Sequence, residues 1–526
     1  MKKHGNISGL LCFIGVLTSI APEDKAYRKM SFALILFFAA VKLSLGLLTS
    51  GSFGLHGDEL FYMALADHLS WGYKEISPAI AFIAWLIDIF SGPDKTSVRL
   101  LPSLAGAGLI IFTGTIARKL GGGVFAVVLA CTAVLFSPAF LATGYMLQPA
   151  VFDQLLWTLL ALCFIEIIRN ERPSYIYLAG LITGIGLLTK YSIALYLVSL
   201  LAATFAGAQK KLLLRKEWLV SALISVLIVL PNLLWQVSHS WPVLEHAREL
   251  KTDPLSRVTR AGFILQTLQA QGVSILVWIP GLFFLLYYQH SRYQTFVYSF
   301  FILLLLLTGL NGKVYYAFGA FPVLFAAGGV YWEQKATGRL SFKAALLLPL
   351  LLSGLVSLPS VVPLLPLSSQ LAYFKAMRDE TGITFPLVWD DGEVHDLPEY
   401  YGSMLGWNEM LQKVFQVYQS IPPEDRSAVL IYAENYSQAG AMHTLGKAHN
   451  LAPVISRSSS FNYWWPPEIS ARYIIYIRPG KGVKRQFIYP GLQPVSTINK
   501  RHSKEEGTEI YLLPVQDKSL EEVLER

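Results

Sequence analysis

Charge is the scarcest ingredient of this 526-residue chain: Asp, Glu, Lys and Arg make up 15% of it, against 53% hydrophobic residues. Soluble domains carry about 25% charged residues, so the deficit excludes an ordinary soluble protein, as does the positive mean hydropathy of +0.46. Cysteine is nearly as rare. Cys12, Cys131 and Cys163 are the three present, and none follows residue 363, which excludes a disulfide framework for the C-terminal region. A Gly-rich phosphate loop of the Walker type is missing, and with it the usual nucleoside-triphosphate site. Cys and His never fall at structural-zinc spacing, so no structural zinc site is expected. The net charge of +8 needs no nucleic acid as partner, because basic residues on cytoplasmic loops account for much of it.

What the chain has instead is a series of long apolar runs through residues 31–362. A spanning helix needs roughly 20 mostly apolar residues, and backbone groups in lipid must be paired internally. The runs are too long and too uniformly apolar for barrel strands. The expectation is a polytopic α-helical membrane protein with about eleven spans. They are placed near 31–50, 99–117, 124–143, 154–168, two short ones meeting near Lys190, 218–236, 263–288, 294–310, 317–331 and 344–362. Lys25, Arg28 and Lys29 precede the first span, so the positive-inside rule makes residues 1–30 a cytoplasmic N-terminal segment. Within it, the apolar stretch 9–20 resembles a signal-peptide core, but no small-residue cleavage site follows.

Residues 52–97 then form a long first outer loop, with amphipathic helical stretches at 59–70 and 78–90 suited to the membrane interface. Arg118-Lys119, Lys210-Lys211 and Arg215-Lys216 land inside. The outer loop 237–261 is the exception, with Arg248, Lys251, Arg257 and Arg260, and is expected to bind anionic groups. Composition changes after Pro363. Strand-like runs at Ala428–Tyr432 and Tyr473–Ile477 alternate with helical patterns at 370–380 and 406–420. Residues 31–366 are therefore expected to be a transmembrane domain, and 367–526 an extracytoplasmic α/β domain.

On this topology four polar groups meet at the outer face: Asp58-Glu59, Asp153, Lys190, and Lys313 with Tyr315-Tyr316. Carboxylates are costly in lipid and must face water or a protein cavity. A carboxylate at the mouth of a bundle accepts a proton or binds a cation. Acids and bases gathered at headgroup depth suit a charged amphiphile, with Lys190 and Lys313 on a lipid phosphate. The bland alternatives are a snorkelling lysine and a pair of acids capping an interfacial helix.

The run Gly54-Leu55-His56-Gly57-Asp58-Glu59-Leu60-Phe61-Tyr62, followed by Leu69-Ser70-Trp71-Gly72-Tyr73, resembles the first outer loop of family 39 glycosyltransferases. These belong to the GT-C superfamily, with the protein O-mannosyltransferases and the aminoarabinose transferases of lipid A. Gln148-Pro149-Ala150-Val151-Phe152-Asp153 is similar to the family's second acidic segment. Gly186-Leu187-Leu188-Thr189-Lys190-Tyr191 and Lys313-Val314-Tyr315-Tyr316 through Phe321-Pro322 resemble two further motifs, so the likeness runs in order through 31–335. The tail resembles the outer domain of a bacterial subgroup, through Tyr432-Ala433-Glu434-Asn435-Tyr436 and Gly440-Ala441. One stretch departs: the family's Pro-Pro, with a polar residue before it, reads here Lys74-Glu75-Ile76-Ser77-Pro78. Lys74 is the substitute expected for the lost phosphate contact.

The resemblance implies an inverting transferase in a bacterial inner (plasma) membrane, among membrane lipids. It implies a polyprenyl-phosphate sugar donor and a hydroxyl acceptor on a lipid such as lipid A, a protein or a glycan. Asp58 is the expected base, and Glu59 orients the loop or binds sugar hydroxyls. Lys190 and Lys313 are expected to stabilise the departing phosphate with Tyr316, and Asp153 to position substrate. Tyr62, Tyr315 and Lys74 complete the expected substrate-binding set. No cofactor is required, although Asp58-Glu59 suits a divalent cation. Two rival readings are a lipid or sugar transporter, favoured by midplane charges in matching halves, and a non-catalytic envelope scaffold. The aromatic run Phe461–Pro467 suits sugar stacking, bilayer anchoring or a core, and the acids around Trp389 suit a solvated turn.

Overall fold

The computed structural model describes residues 25–49, 51, 53–252, 260–287, 292–466, 471–480 and 493–515; the stretch 9–20 and Arg257 lie outside the described residues. The apolar part forms α1 (Lys25–Leu48), α2 (Gly57–Leu65), α3 (Ala79–Ser91), α4 (Lys95–Lys119), α5 (Val124–Phe136), α6 (Pro138–Thr143), α7 (Pro149–Asn170) and α8 (Pro173–Thr189). It continues through α9 (Ile193–Ala206), α10 (Glu217–Ser238), α11 (Pro242–Thr252), α12 (Arg260–Gln271), α13 (Ile275–Tyr287), α14 (Gln294–Gly309), α15 (Phe321–Lys335) and α16 (Leu340–Val361).

Among the described residues, seven helical stretches are long and apolar enough to cross a membrane. The shorter apolar helices α5, α8, α9 and α14 fall on the other expected spans. Helix α10 shows why these sequences suit lipid. Leu219, Leu223, Leu227, Leu230 and Leu234 form an exposed stripe at helical spacing, while Ser221, Asn232 and Gln236 are buried against protein. Small residues bring other helices close. A side chain on Gly328 of α15 would strike the Val277 backbone of α13, the close approach that membrane helices use in place of a hydrophobic drive.

The two helices within 52–97, expected at a membrane interface, are packed against protein. Leu60, Phe61, Ala64, Ile80 and Ala84 are buried in a core shared with Trp407, Met410, Val414, Ile431, Ala441 and Ile475. Their amphipathic faces find a protein partner from the C-terminal region, while Phe82, Ile89 and Phe90 of α3 stay exposed. Helix α2 is also shorter than expected, giving way to a 3₁₀ turn at Ala66–His68.

The C-terminal unit holds α17 (Leu367–Thr381), α18 (Trp407–Ser420), β1 (Val429–Ala433), α19 (Tyr436–Gly446), β2 (Val454–Ile455), β3 (Tyr473–Arg478), β4 (Ser496–Thr497) and β5 (Glu509–Pro514). The strands form one sheet in the order β2-β1-β3-β5-β4. β1 runs parallel to β2 and β3, with Ile431 opposite Ile475, and β5 runs antiparallel to β3 and β4. All five residues of β1 are buried, as a central parallel strand requires.

Candidate functional site

Asp58 and Glu59 occupy the first turn of α2, where acids favour the helix dipole. His56 caps that turn. Its Nδ1 accepts the Asp58 N–H at 3.0 Å, and Glu59 Oε2 accepts the His56 N–H at 2.8 Å, completing a capping box. Being neighbours on a helix, the two carboxylates point apart. Glu59 is 1% exposed. It pairs with Arg99 Nη2 at 3.2 Å and accepts the Leu147 N–H at 3.1 Å. Arg99, itself fully buried, also donates to the Thr49 and Gly54 carbonyls at 2.5 and 2.7 Å. This pairing fits the loop-orienting role and leaves Glu59 turned away from a sugar. Asp58 remains 39% exposed at its side chain.

The second acid anchors a second element. Asp153, near the start of α7, accepts from Trp157 Nε1 at 2.9 Å and from Ser192 Oγ at 2.7 Å. The Ser192 bond ties α7 to the turn that carries Lys190. The Lys190 ammonium sits 4.3 Å from the ring centroids of both Tyr315 and Tyr316, a cation held by π faces. Lys313, one residue before the 3₁₀ segment Val314–Ala320, is exposed. Neither lysine forms an ion pair among the described residues.

Tyr62 and Tyr315 stand between the two groups. Tyr62 titrates well above a free phenol, because of burial first and then the nearby Asp58, Tyr436, Tyr315 and Glu75. Tyr315 and Tyr62 thus bridge the Asp58 side to the Lys190 side. Beside them runs an apolar groove of about 470 Å³, lined by Ile264, Leu268, Trp278, Leu282, Phe300 and Phe321. It opens between α12, α13 and α14, and Phe321 continues directly from the segment that holds Tyr315 and Tyr316.

Lys74 stands apart from the lysine pair. Its ammonium is taken up by Glu249 at 2.8 Å and Glu245 at 3.6 Å, both on α11. The loop expected to be basic thus brings its acids to the site. His246 on the same helix titrates below a free imidazole, mainly through burial. Ile76 packs against the core shared by the outer loop and the C-terminal unit. Among the described residues no three His, Cys, Asp or Glu side chains gather as a metal site.

Several functional side chains escaped the sequence reading. Tyr436 of α19 donates its hydroxyl to Asp58 Oδ1 at 3.0 Å; it lies in a tail motif noted only for its likeness. Glu75 accepts from Ser460 Oγ at 2.9 Å while its Oε1 is buried without a partner, and burial pushes its carboxyl up to about 7. In the aromatic run, Phe461 fills the shared core and Trp464 stacks on His68 at 4.1 Å. Trp389 stacks on His395 at 3.8 Å beside Asp396 and Arg501, so this acid turn is partly built.

Residues 76–235 match the family model described as Dolichyl-phosphate-mannose-protein mannosyltransferase. The match takes in Asp153 and Lys190, and begins after Asp58. No curated protein sequence matches the chain significantly. Among the solved structures that share the fold are two of ArnT from Cupriavidus metallidurans. The one bound to undecaprenyl phosphate has 14% identity and a TM-score of 0.57, covering 91% of this chain and 98% of that one. The apo structure has 13% identity and a TM-score of 0.59 over the same shares. Residues 76–235 thus resemble that mannosyltransferase family, and the chain as a whole shares the fold of ArnT.

Proposed function

We propose that this protein moves a sugar from a polyprenyl-phosphate donor to a hydroxyl acceptor, with inversion, at the outer face of a bacterial inner membrane. The observation that carries this reading is a partly exposed carboxylate, Asp58, linked through Tyr62 and Tyr315 to Lys190, whose ammonium lies against the Tyr315 and Tyr316 rings with Asp153 nearby. The ArnT relative bound to undecaprenyl phosphate supports a lipid-phosphate partner. So does the apolar groove whose lining includes Phe321, the residue that follows the Val314–Ala320 segment.

In the proposed transfer the acceptor oxygen attacks the anomeric carbon on the face opposite the phosphate. The bond from that carbon to the phosphate oxygen breaks, and its electron pair leaves with the lipid phosphate. Asp58 takes the hydroxyl proton, a contribution of typically ~10²–10⁴-fold. Lys190 and Lys313 stabilise the charge that grows on the leaving phosphate. Tyr316 donates a hydrogen bond to the same oxygens, and Asp153 holds the Lys190 turn in place through Ser192. A divalent cation at the acidic pair would be held by Asp58 alone, because Glu59 is bound to Arg99. When bound it would neutralise phosphate charge, which the two lysines already do from the chain itself.

The test is mass spectrometry of envelope glycolipids and glycoproteins from cells lacking the protein. The expected result is one missing sugar modification, restored by the wild-type chain and not by Asp58→Asn. An unchanged envelope, or full restoration by Asp58→Asn, would overturn the reading. Flux of lipid or sugar across vesicles with no covalent product would favour a transporter.

A further inference from the structure

We infer that the C-terminal unit completes the reactive centre, with Tyr436 acting as the positioning residue for Asp58. This rests on the proposed role of Asp58 as base. The two residues are far apart in sequence, yet the Tyr436 hydroxyl lies 3.0 Å from Asp58 Oδ1. Among the described residues it is the one side-chain donor to that carboxylate. His56 offers no alternative, because its Nδ1 is occupied as acceptor of the Asp58 N–H.

The geometry is built. Tyr436 opens α19, and Asn435 fixes that start by accepting the Gln438 N–H at 2.8 Å. Helix α19 then lies along α2 at successive levels. The Phe61 and Tyr436 rings meet edge to face at 5.1 Å. Gly440 comes so close that a Cβ there would sit 2.6 Å from Phe61 Cα. Thr444 Oγ1 donates to the Leu60 carbonyl at 3.0 Å, and His443 pairs with Asp67 at 2.7 Å. The phenol is thus delivered by a rigid dock rather than by a loose loop.

The chemistry follows from one lone pair. With Oδ1 engaged by Tyr436, the carboxylate plane is set and Oδ2 is left for the acceptor's proton. The phenol cannot compete for that role. The Asp58 charge first, and then burial, push it well above an ordinary tyrosine, so it keeps its proton and stays a donor. The other titratable groups facing this point are His56, Tyr62, Glu75 and Tyr315.

The experiment uses the full-length protein in proteoliposomes. Membranes from cells lacking it serve as donor and acceptor source, and the rate of the missing modification is read against pH. Tyr436→Phe should lower turnover at saturating membranes about 10–100-fold, the loss expected for a hydrogen bond to a charged group. The half-saturating amount of membrane should stay the same, because the lysines are untouched. The acid limb of the rate profile should move to higher pH, since the carboxylate loses a bond that favours its charged form. Should Tyr436→Phe fail to yield folded protein, Gly440→Ala decides, by pushing α19 off α2 with the phenol intact. It should show the same fall and the same acid-limb shift. Wild-type turnover and pH profile in the folded variant would overturn the inference, and so would lost rate with an unmoved profile. Asp58→Asn in the same assay separates the two claims: activity there sinks the proposed function, whereas a dead Asp58→Asn beside a normal Tyr436→Phe sinks only the inference.

Discussion

Asp58 and Glu59 are adjacent, of the same charge, and opposite in fate. Asp58 is partly exposed and meets Tyr436; Glu59 is buried against an equally buried Arg99. Breaking such a pair by removing one charge leaves the other unpaired, at a cost of about 3–5 kcal/mol. Glu59→Gln should therefore lower the melting temperature in detergent and the yield of monodisperse protein. Asp58→Asn should leave both unchanged while abolishing transfer. Equal melting shifts for the two variants would contradict this division. Glu75 gives a pH-dependent counterpart. Its folded value of about 7 lies above the ordinary 4.5, so the folded chain holds the proton longer than the unfolded one. Stability is full below the lower value and falls as pH rises toward the upper. Glu75→Gln should raise the melting temperature by about 2–4 °C at pH 8 and hardly at all at pH 4.5. A gain of the same size at both pH values would refute the assignment.

Elements were legible where one periodic signal decided them. The span expected at 218–236 is α10, Glu217–Ser238, which exposes the stripe Leu219 to Leu234 along one face. The strand patterns near 428–432 and 473–477 lie within a residue of β1 and β3. Partners were less legible, because an amphipathic face does not say what covers it. The helices of the first outer loop suit an interface in sequence, yet one face meets the C-terminal unit. Loop 237–261 was judged by its four basic residues, although Glu245 and Glu249 stand one turn apart on α11 and both reach Lys74. Motif likeness located Asp58, Asp153, Lys190 and Lys313, but nothing in spacing alone revealed that Tyr315 and Tyr316 flank the Lys190 ammonium. That arrangement predicts a separation of effects. Lys190→Met keeps the bulk and removes the charge, so it should raise the half-saturating donor concentration at least ~10-fold if one charge-assisted contact to phosphate is lost. Donor kinetics like the wild type, measured in proteoliposomes, would remove Lys190 from the phosphate site.

At the scale of the whole molecule, the boundary drawn from composition at 366/367 is not where the packing divides. One core contains Leu60, Phe61 and Ile80 from the outer loop together with Val414, Ile431 and Ile475 from beyond it. Ion pairs reinforce the seam, with Asp67 reaching both His443 and Lys447. Burial opposes the Asp67 charge, yet those two partners hold its carboxyl down to about 2, so its tie holds above about pH 4 and weakens below as the carboxylate takes up a proton. The loop that carries Asp58 is thus shaped from both sides: by Arg99 of the membrane bundle, and by α19 and the sheet above. Removing residues 367–526 should then do more than delete an appendage. It would uncover the apolar faces of α2 and α3, and exposed apolar surface of that kind drives association or local unfolding. The truncated chain should lose transfer, and limited proteolysis should cut within 53–97, a region protected in the full-length protein. A truncated chain that stays monodisperse, resists protease in that loop and still transfers sugar would show that the membrane bundle alone holds Asp58 in place.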